Sequence, residues 1–162
     1  MTEAEKRQRR ACFTGHRPEK LTVPKASVII ALEQEIKQAI SDGINVFISG
    51  MARGVDLWAA EIVLRLRAEG FAIKLICASP FEGFERSWSI VDKAKYNHIM
   101  ASADLVRYIC PGYNKACFQI RNEWMVNHCA RVIAVFNGAP SGTKNTVDYA
   151  DRVGVPVRFI KG

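Results

Sequence analysis

The loop from Ser49 to Asp56 carries residue types that suit the binding of an anion. Gly50 and Gly54 flank the predicted start of a helix, where free backbone N–H groups and the helix dipole attract negative charge. Glycine has no side chain that would hold a phosphate away from the backbone. Arg53 would add a charged hydrogen-bond donor, and Asp56 suits the first turn of a helix or a ribose hydroxyl. The simpler alternative is that both glycines only turn the chain.

A second loop offers similar chemistry. Ser141, Gly142 and Thr143 precede another predicted helix, so two hydroxyl groups and helix N–H groups could share one anion, with Lys144 nearby. A plain N-cap by Ser141 or Thr143 fits the sequence equally well.

A third loop places His16 and Arg17 beside Gly15, and this position favours ligand contact over core packing. Phe81, Phe84 and Trp88 could stack on a base, although packing is the ordinary role of such residues. His98, His128 and the other two tryptophans fall in predicted helices and are interpreted as structural or surface residues.

These loops are positioned by alternating strands and helices. Apolar runs predict strands over 11–14, 46–48, 73–77, 105–109, 132–136 and 157–160. Helical spacing and glycine stops predict helices over 25–42, 55–68, 87–101, 118–129 and 143–153. The pattern indicates an α/β fold, a Rossmann-like three-layer sandwich with a mostly parallel central sheet. Ligands of such sheets bind beyond the carboxyl ends of the strands, where the small-residue loops fall.

Composition limits the classes of protein and partner. The 162 residues predict one domain over 1–162, with 1–10 as a basic N-terminal extension. No apolar run is long enough to cross a bilayer, and the charged N-terminus lacks a signal peptide, so we expect a cytoplasmic protein and no membrane partner. The net charge of +7 favours anionic partners, although a solvated basic surface explains it as well.

The five cysteines include no C-x-x-C pair, and their number is odd. We therefore predict neither a disulfide framework nor a metal site, and no cofactor beyond a nucleotide-like ligand. His128 next to Cys129 hints at a base and a nucleophile, but adjacent helical residues point in different directions. The tryptophan-bearing helices, if exposed, make a homodimer a reasonable expectation.

Four ordered motifs resemble those of the SLOG superfamily, and within it the YpsA-like branch. The motifs are 14–18, 49–56, 121–126 and 141–143, and the resemblance extends from residue 11 to residue 160. It implies a Rossmann-like fold with a pocket for nucleotides or nucleotide-derived signals. Distant relatives include the LOG phosphoribohydrolases and the DNA-processing protein DprA. The resemblance implies ligand-binding roles for Gly15, Gly50, Arg53, Gly54, Asp56, Gly142 and Thr143, and, through a looser match, for Arg121 and Asn122.

The chain departs from the LOG enzymes at the residue that works on the N-glycosidic bond. Thr146 stands in the place of their glutamate, and cleavage of that bond needs an acid–base group. The sequence therefore favours a sensor or regulatory module that binds a nucleotide. A nucleotide N-glycosidase or phosphoribohydrolase, with Glu123 or Asp56 as its carboxylate, is one alternative. Single-stranded nucleic-acid binding is another. The full set of ligand-binding candidates is Gly15, His16, Arg17, Gly50, Arg53, Gly54, Asp56, Arg121, Asn122, Ser141, Gly142 and Thr143.

Overall fold

A six-stranded parallel sheet forms the middle layer of the protein. The computed structural model describes residues 1–162. The strands are β1 (Arg10–Gly15), β2 (Val46–Ser49), β3 (Lys74–Ser79), β4 (Leu105–Tyr108), β5 (Arg131–Phe136) and β6 (Val157–Lys161). Their order across the sheet is β4-β3-β2-β1-β5-β6, and every neighbouring pair is parallel. The predicted α/β class is confirmed, and the mostly parallel sheet proves to be parallel throughout.

Six helices accompany the sheet, and five of them cover its two faces. They are α1 (Glu3–Arg7), α2 (Lys25–Ser41), α3 (Val55–Ala68), α4 (Ile90–Ser102), α5 (Cys117–Asn127) and α6 (Gly142–Val153). One core of 25 buried residues joins the sheet to α2, α3 and α4. A second core of 10 buried residues joins its other face to α5 and α6. No helix is long and apolar enough to cross a membrane.

Alternation along the strands builds both cores. Ala11 and Phe13 of β1 point into the larger core, while Cys12 points into the smaller one. In β5, Ile133 and Val132 divide between the two cores in the same way. Strands that are buried on both faces appear in the sequence as the uninterrupted apolar runs noted above.

The structure corrects several predicted helix boundaries. Helix α4 begins at Ile90 rather than near residue 87, because the Ser89 hydroxyl caps it by accepting the N–H of Asp92 at 3.2 Å. Helix α5 ends at Asn127, two residues before the predicted end. The chain leaves helical geometry at His128, whose Nδ1 lies 2.6 Å from the carbonyl oxygen of Trp124.

The N-terminal segment contains a helix that the sequence analysis did not predict. The Thr2 hydroxyl accepts the backbone N–H of Glu5, and the Glu5 carboxylate accepts that of Thr2. This capping box starts the five-residue helix α1 within the segment interpreted as an extension.

The strand order places a crevice beside β1. From β1 the chain proceeds outward through β2 and β3 to β4, and then returns to β5 on the other side of β1. The loops after β1 and β5 therefore lead to helices on opposite faces, and a crevice opens between them at the carboxyl edge.

The end of β1 lies against the first residue of α3. A Cβ atom at Gly15 would lie 2.6 Å from Cβ, Cγ1 and Cγ2 of Val55. Only glycine permits this approach, which brings the start of α3 to the carboxyl edge of the sheet.

We expect Gly15→Ala to lower the free energy of unfolding by about 1–3 kcal/mol, because the added methyl group overlaps Val55 and the packed core resists the shift. Urea denaturation measures the effect. Gly112→Ala is the matched control, since a Cβ atom there meets nothing within 4 Å. Equal stability of Gly15→Ala and wild type would contradict the argument.

Candidate functional site

A cavity of about 480 Å³ lies at the carboxyl edge of the sheet, within the usual size range of small-molecule sites. The loops after β1 and β5 form two of its walls, and the first turn of α3 and one side of α5 complete it. The candidate residues that line it are Gly15, His16, Arg17, Asp56, Arg121, Asn122, Ser141, Gly142 and Thr143.

Buried polar side chains are concentrated around this cavity. Of the nine buried polar or charged residues in the protein, six line it: Thr14, His16, Asp56, Arg121, Asn122 and Thr143. The other three, Ser49, Ser79 and Thr146, are fully inaccessible, and each has a hydrogen-bond partner within the protein. The cavity therefore collects the buried polar groups that the fold itself leaves partly unpaired.

Arg121 is the central cation of the cavity, although only 6% of the residue is exposed. Its Nε donates to Oδ1 of Asn122 at 2.8 Å, and its Nη1 donates to the carbonyl oxygen of Gly50. Its Nη2 makes no hydrogen bond within the protein. Among the fully inaccessible side-chain nitrogen and oxygen atoms of the protein, only Nη1 of Arg131 has no hydrogen-bond partner. Because Nη2 of Arg121 is also unpaired, it is not fully inaccessible, and Arg121 lines the cavity. Burial lowers the pKa of Arg121, and nearby Asp56 opposes that shift.

Asp56 is the buried carboxyl group of the cavity. Its Oδ2 accepts the backbone N–H of Ala52 at 3.2 Å, and its Oδ1 has no partner within the protein. Burial raises the pKa of Asp56 to about 6, against the opposing effects of Arg121 and of that N–H group. Gly50 separates Asp56 from Arg121, because a Cβ atom there would lie 2.9 Å from Nη1 of Arg121 and 3.0 Å from Oδ2 of Asp56.

The two glycines of the loop before α3 lie against protein side chains, and their ligand-binding role stays a prediction. Gly54 adopts a φ of +88°, and a Cβ atom there would lie 2.7 Å from Cδ of Pro18. Gly50 packs against the Arg121 and Asp56 side chains, and neither glycine lines the cavity. The loop already holds the carboxylate of Asp56, so it does not present an open cradle for a phosphate.

The start of α6 lines the cavity with Gly142 and Thr143, whereas α3 contributes only Asp56 to the lining. The Ser141 hydroxyl accepts the N–H of Lys144 at 3.1 Å, which confirms the N-cap alternative for Ser141. The backbone N–H groups of Gly142 and Thr143 have no acceptor within the protein. Both residues line the cavity, whereas the Lys144 ammonium group pairs with Asp148 at 2.7 Å and is not part of the lining. Of the two anion positions predicted from the sequence, the one at the start of α6 therefore lies on the cavity.

His16 connects the loop after β1 to the loop after β5 through a hydrogen bond. Its Nε2 accepts the backbone N–H of Asn137 at 3.1 Å, and its ring lies 5.6 Å from that of Phe136. Burial lowers the pKa of His16, which favours the neutral ring that can accept this bond. Arg17, by contrast, is exposed beside the cavity, and its side chain makes no hydrogen bond within the protein.

Other candidates lie outside this cavity. Glu123, proposed as a catalytic carboxylate, accepts from Nε2 of Gln119 at 2.9 Å on α5 and does not line it. Cys129 is fully buried with its sulfur 3.3 Å from that of Cys12, while the His128 ring stacks on Trp124. The pair of His128 and Cys129 is therefore structural.

The homodimer expected from exposed tryptophan-bearing helices stays a prediction, without support from exposed indole rings. All three tryptophans, Trp58, Trp88 and Trp124, are buried or half-buried, so their helices do not present exposed indole rings.

A neighbouring cavity of about 450 Å³ contains Arg53, which pairs with Glu19 at 3.1 Å. The two cavities share Phe84 and Phe118. The sequence analysis missed Phe118, and its position at the start of a helix that follows the carboxyl end of β4 is the signal that could have identified it.

Comparison with known proteins establishes the family. The family model of the YspA SLOG family matches residues 11–158, and the chain belongs to this family. The SPbeta prophage-derived protein YoqJ of Bacillus subtilis is 34% identical over 118 residues, a match that covers 65% of this chain and 69% of that protein. A UPF0398 protein of Bacillus pumilus is 29% identical over 161 residues, covering 91% of this chain and 84% of that protein. The resemblance inferred from the four motifs is thereby confirmed.

Two solved structures share the fold. DNA processing protein A (DprA) of Streptococcus pneumoniae has a TM-score of 0.67 at 21% identity, covering 96% of this chain and 51% of that chain. DprA of Helicobacter pylori, described by its single-stranded DNA binding mode, has a TM-score of 0.67 at 18% identity, covering 99% and 68%. This chain therefore spans about half of the first protein and about two thirds of the second.

The pKa of Asp56 predicts a distinct dependence of stability on pH. Because the folded-state pKa of about 6 exceeds the ordinary value near 4, the unfolded chain releases this proton first. The stabilisation is fully present below pH 4 and is lost as the pH rises through 6, for a total of about 3 kcal/mol. We expect Asp56→Asn to be more stable than wild type by up to that amount at pH 8 and to lose this advantage below pH 4.

Urea denaturation of both proteins from pH 4 to pH 8 measures the difference. Asp151→Asn, which changes an exposed carboxylate outside the cavity, should follow the wild-type curve. Parallel curves for wild type and Asp56→Asn would show that Asp56 titrates as an ordinary carboxyl group.

Proposed function

We propose that this protein binds a nucleotide or nucleotide-derived ligand in the cavity at the carboxyl edge of the sheet, as a sensor or regulatory module. The observation that carries the proposal is the set of six buried polar residues around one cavity, several of them with unpaired hydrogen-bonding atoms. Unpaired polar groups in a nearly buried cavity are costly to the fold and are the groups that a polar ligand would satisfy.

The phosphate would bind at the start of α6. The N–H groups of Gly142 and Thr143 lie at the positive end of that helix, and Nη2 of Arg121 provides a charged donor with no other partner. Exposed Arg17 and Lys20 add positive charge to the lining. Backbone donors, a buried guanidinium and a basic rim together favour a phosphate over a neutral ligand.

The ribose would lie between the phosphate and α3. Oδ1 of Asp56 is an unpaired acceptor, and Nδ2 of Asn122 is an unpaired donor, which together match a sugar hydroxyl. Thr146, which stands where LOG enzymes carry their glutamate, is fully buried and donates its hydroxyl to the carbonyl oxygen of Gly142 at 2.9 Å. This position supplies no acid–base group to the cavity, which supports binding over hydrolysis.

We expect nucleoside 5′-monophosphates to bind the wild-type protein in isothermal titration calorimetry, and Arg121→Gln to weaken binding about 10- to 100-fold. A lost hydrogen bond between charged groups costs about 1.5–3 kcal/mol. Thr143→Val keeps the shape of its side chain and should weaken binding by a smaller factor. Thermal unfolding of each variant shows whether it remains folded.

Arg158→Gln is the matched control, because it removes the same charge from an exposed pair with Glu35 outside the cavity. If Arg158→Gln lost as much affinity as Arg121→Gln, the effect of Arg121→Gln would reflect the net charge of the protein and not a contact in the cavity. Binding of a single-stranded oligonucleotide without binding of any mononucleotide would replace the proposal with nucleic-acid binding. The fold shared with DprA and the net charge of +7 are the observations that favour that replacement.

A second candidate function is a nucleotide N-glycosidase, and the observation that favours it is the pKa of Asp56. A carboxyl group with a pKa of about 6 inside the cavity can exchange a proton near neutral pH. If the protein is such an enzyme, release of free base from nucleoside monophosphates should fall at least 100-fold in Asp56→Asn. Glu123→Gln, which changes a carboxylate outside the cavity, should keep the wild-type rate. Equal rates in both variants and wild type would exclude Asp56 as the acid–base group.

A further inference from the structure

The neighbouring cavity, which we call the aromatic cavity, continues the first one along the edge of the sheet. Its volume is about 450 Å³, and it shares four lining residues with the first cavity: Arg17, Ala52, Phe84 and Phe118. Shared walls make the two cavities adjoining parts of one surface depression. A ligand longer than a sugar phosphate can therefore extend from one into the other.

Aromatic side chains dominate the wall of the second cavity. Phe81, Phe84, Trp88 and Phe118 all line it, and all four are half-buried rather than enclosed in a core. Their mutual contacts are edge-on or tilted, with ring centroids 5.0–6.3 Å apart and no parallel stack. None of these four rings is stacked face to face on another, so a planar ligand would not have to displace an existing stack.

One carboxylate lies among these rings. Asp92, in the first turn of α4, lines the aromatic cavity and is half-buried. Its backbone N–H donates to the Ser89 hydroxyl, but its side chain makes no hydrogen bond or ion pair within the protein. Arg17, on the shared wall, is likewise without a partner. The cavity thus combines aromatic surfaces with an unpaired carboxylate, that of Asp92, and an unpaired guanidinium group, that of Arg17.

We propose that the aromatic cavity binds the base of the nucleotide, and that Asp92 selects guanine over adenine. The inference rests on the proposed function, since it places the phosphate at α6 and extends the ligand toward α4. A carboxylate only accepts hydrogen bonds, and guanine presents two adjacent donors, N1–H and the N2 amino group. Adenine presents one donor beside an acceptor, N1, which a carboxylate repels. Arg17 is suited to O6 and N7 on the other edge of guanine.

The decisive comparison uses three ligands: ribose 5-phosphate, which has no base, adenosine 5′-monophosphate and guanosine 5′-monophosphate. In calorimetric titrations of the wild-type protein we expect ribose 5-phosphate to bind weakly. The guanine nucleotide should bind roughly 100-fold more tightly, because the base adds stacking and hydrogen bonds. The adenine nucleotide should fall between them, roughly tenfold weaker than the guanine nucleotide.

Two variants test the aromatic wall of the aromatic cavity and the carboxylate of Asp92 separately. Phe81→Leu, at a residue that lines only the aromatic cavity, should reduce the affinity for both nucleotides toward that for ribose 5-phosphate and leave ribose 5-phosphate binding unchanged. Asp92→Asn should reduce the preference for guanine over adenine at least fivefold. Phe159→Leu and Asp151→Asn are the matched controls, because both residues are exposed and lie outside the two cavities.

Fluorescence provides a second readout, and its first result comes from the wild-type protein alone. Stacking of a base in the aromatic cavity should quench part of the tryptophan emission of the wild-type protein, and ribose 5-phosphate should not. The same quenching should be lost in Trp88→Leu and kept in Trp124→Leu, because Trp124 is outside both cavities.

The outcomes separate the two proposals. If neither ribose 5-phosphate nor any nucleotide binds, the proposed function itself fails. If ribose 5-phosphate binds and the nucleotides bind no more tightly, the proposed phosphate site at α6 is retained and the proposed base site in the aromatic cavity is overturned. Equal affinity for the guanine and adenine nucleotides would overturn selection by Asp92.

Discussion

The close approach of Arg121 and Asp56 on either side of Gly50 is the constraint on which the candidate site depends. Asp56 belongs to α3 and Arg121 to α5, so the two side chains come from helices on opposite faces of the sheet. They meet over its carboxyl edge, where a side chain at position 50 would collide with both. The Gly50 carbonyl oxygen accepts from Arg121, and the N–H of Ala52 is accepted by Asp56. The loop after β2 is thus held from both sides by charged groups.

Burial makes it energetically costly to keep Asp56 and Arg121 ionised, and this cost bears on why the two residues are there. It raises the pKa of Asp56 and lowers that of Arg121, so each group is less easily ionised than in water. Buried charged groups that serve only stability can often be replaced by apolar residues of similar volume without loss of stability. Here each member also keeps an unpaired atom on the cavity side, which an apolar replacement could not provide. The geometry fits groups retained for a ligand better than groups retained for the core.

The framework of the fold could be predicted from local sequence, whereas the roles of individual site residues could not. Apolar runs and glycine stops indicate each strand and each long helix, because these signals depend on neighbouring residues. The contacts of Gly54 with Pro18 and of Gly50 with Arg121 join residues 36 and 71 positions apart. The sequence shows the two glycines but not the side chains that lie against them. Both glycines are therefore predicted from the sequence to let a phosphate approach the backbone. Phe118 escaped notice for the same reason, since only the folded chain brings it beside Phe84.

Two helix starts with similar sequences reach different outcomes at the same edge of the sheet. Both α3 and α6 follow a glycine-containing loop, and both would attract an anion by the helix dipole alone. At α3 the carboxylate of Asp56 accepts a backbone N–H of the preceding loop, and Gly54 is covered by Pro18. At α6 the cap is the neutral hydroxyl of Ser141, and two N–H groups still face the cavity. The protein thus supplies an anion of its own at α3 and a neutral cap at α6, and this difference supports the proposed phosphate position at α6.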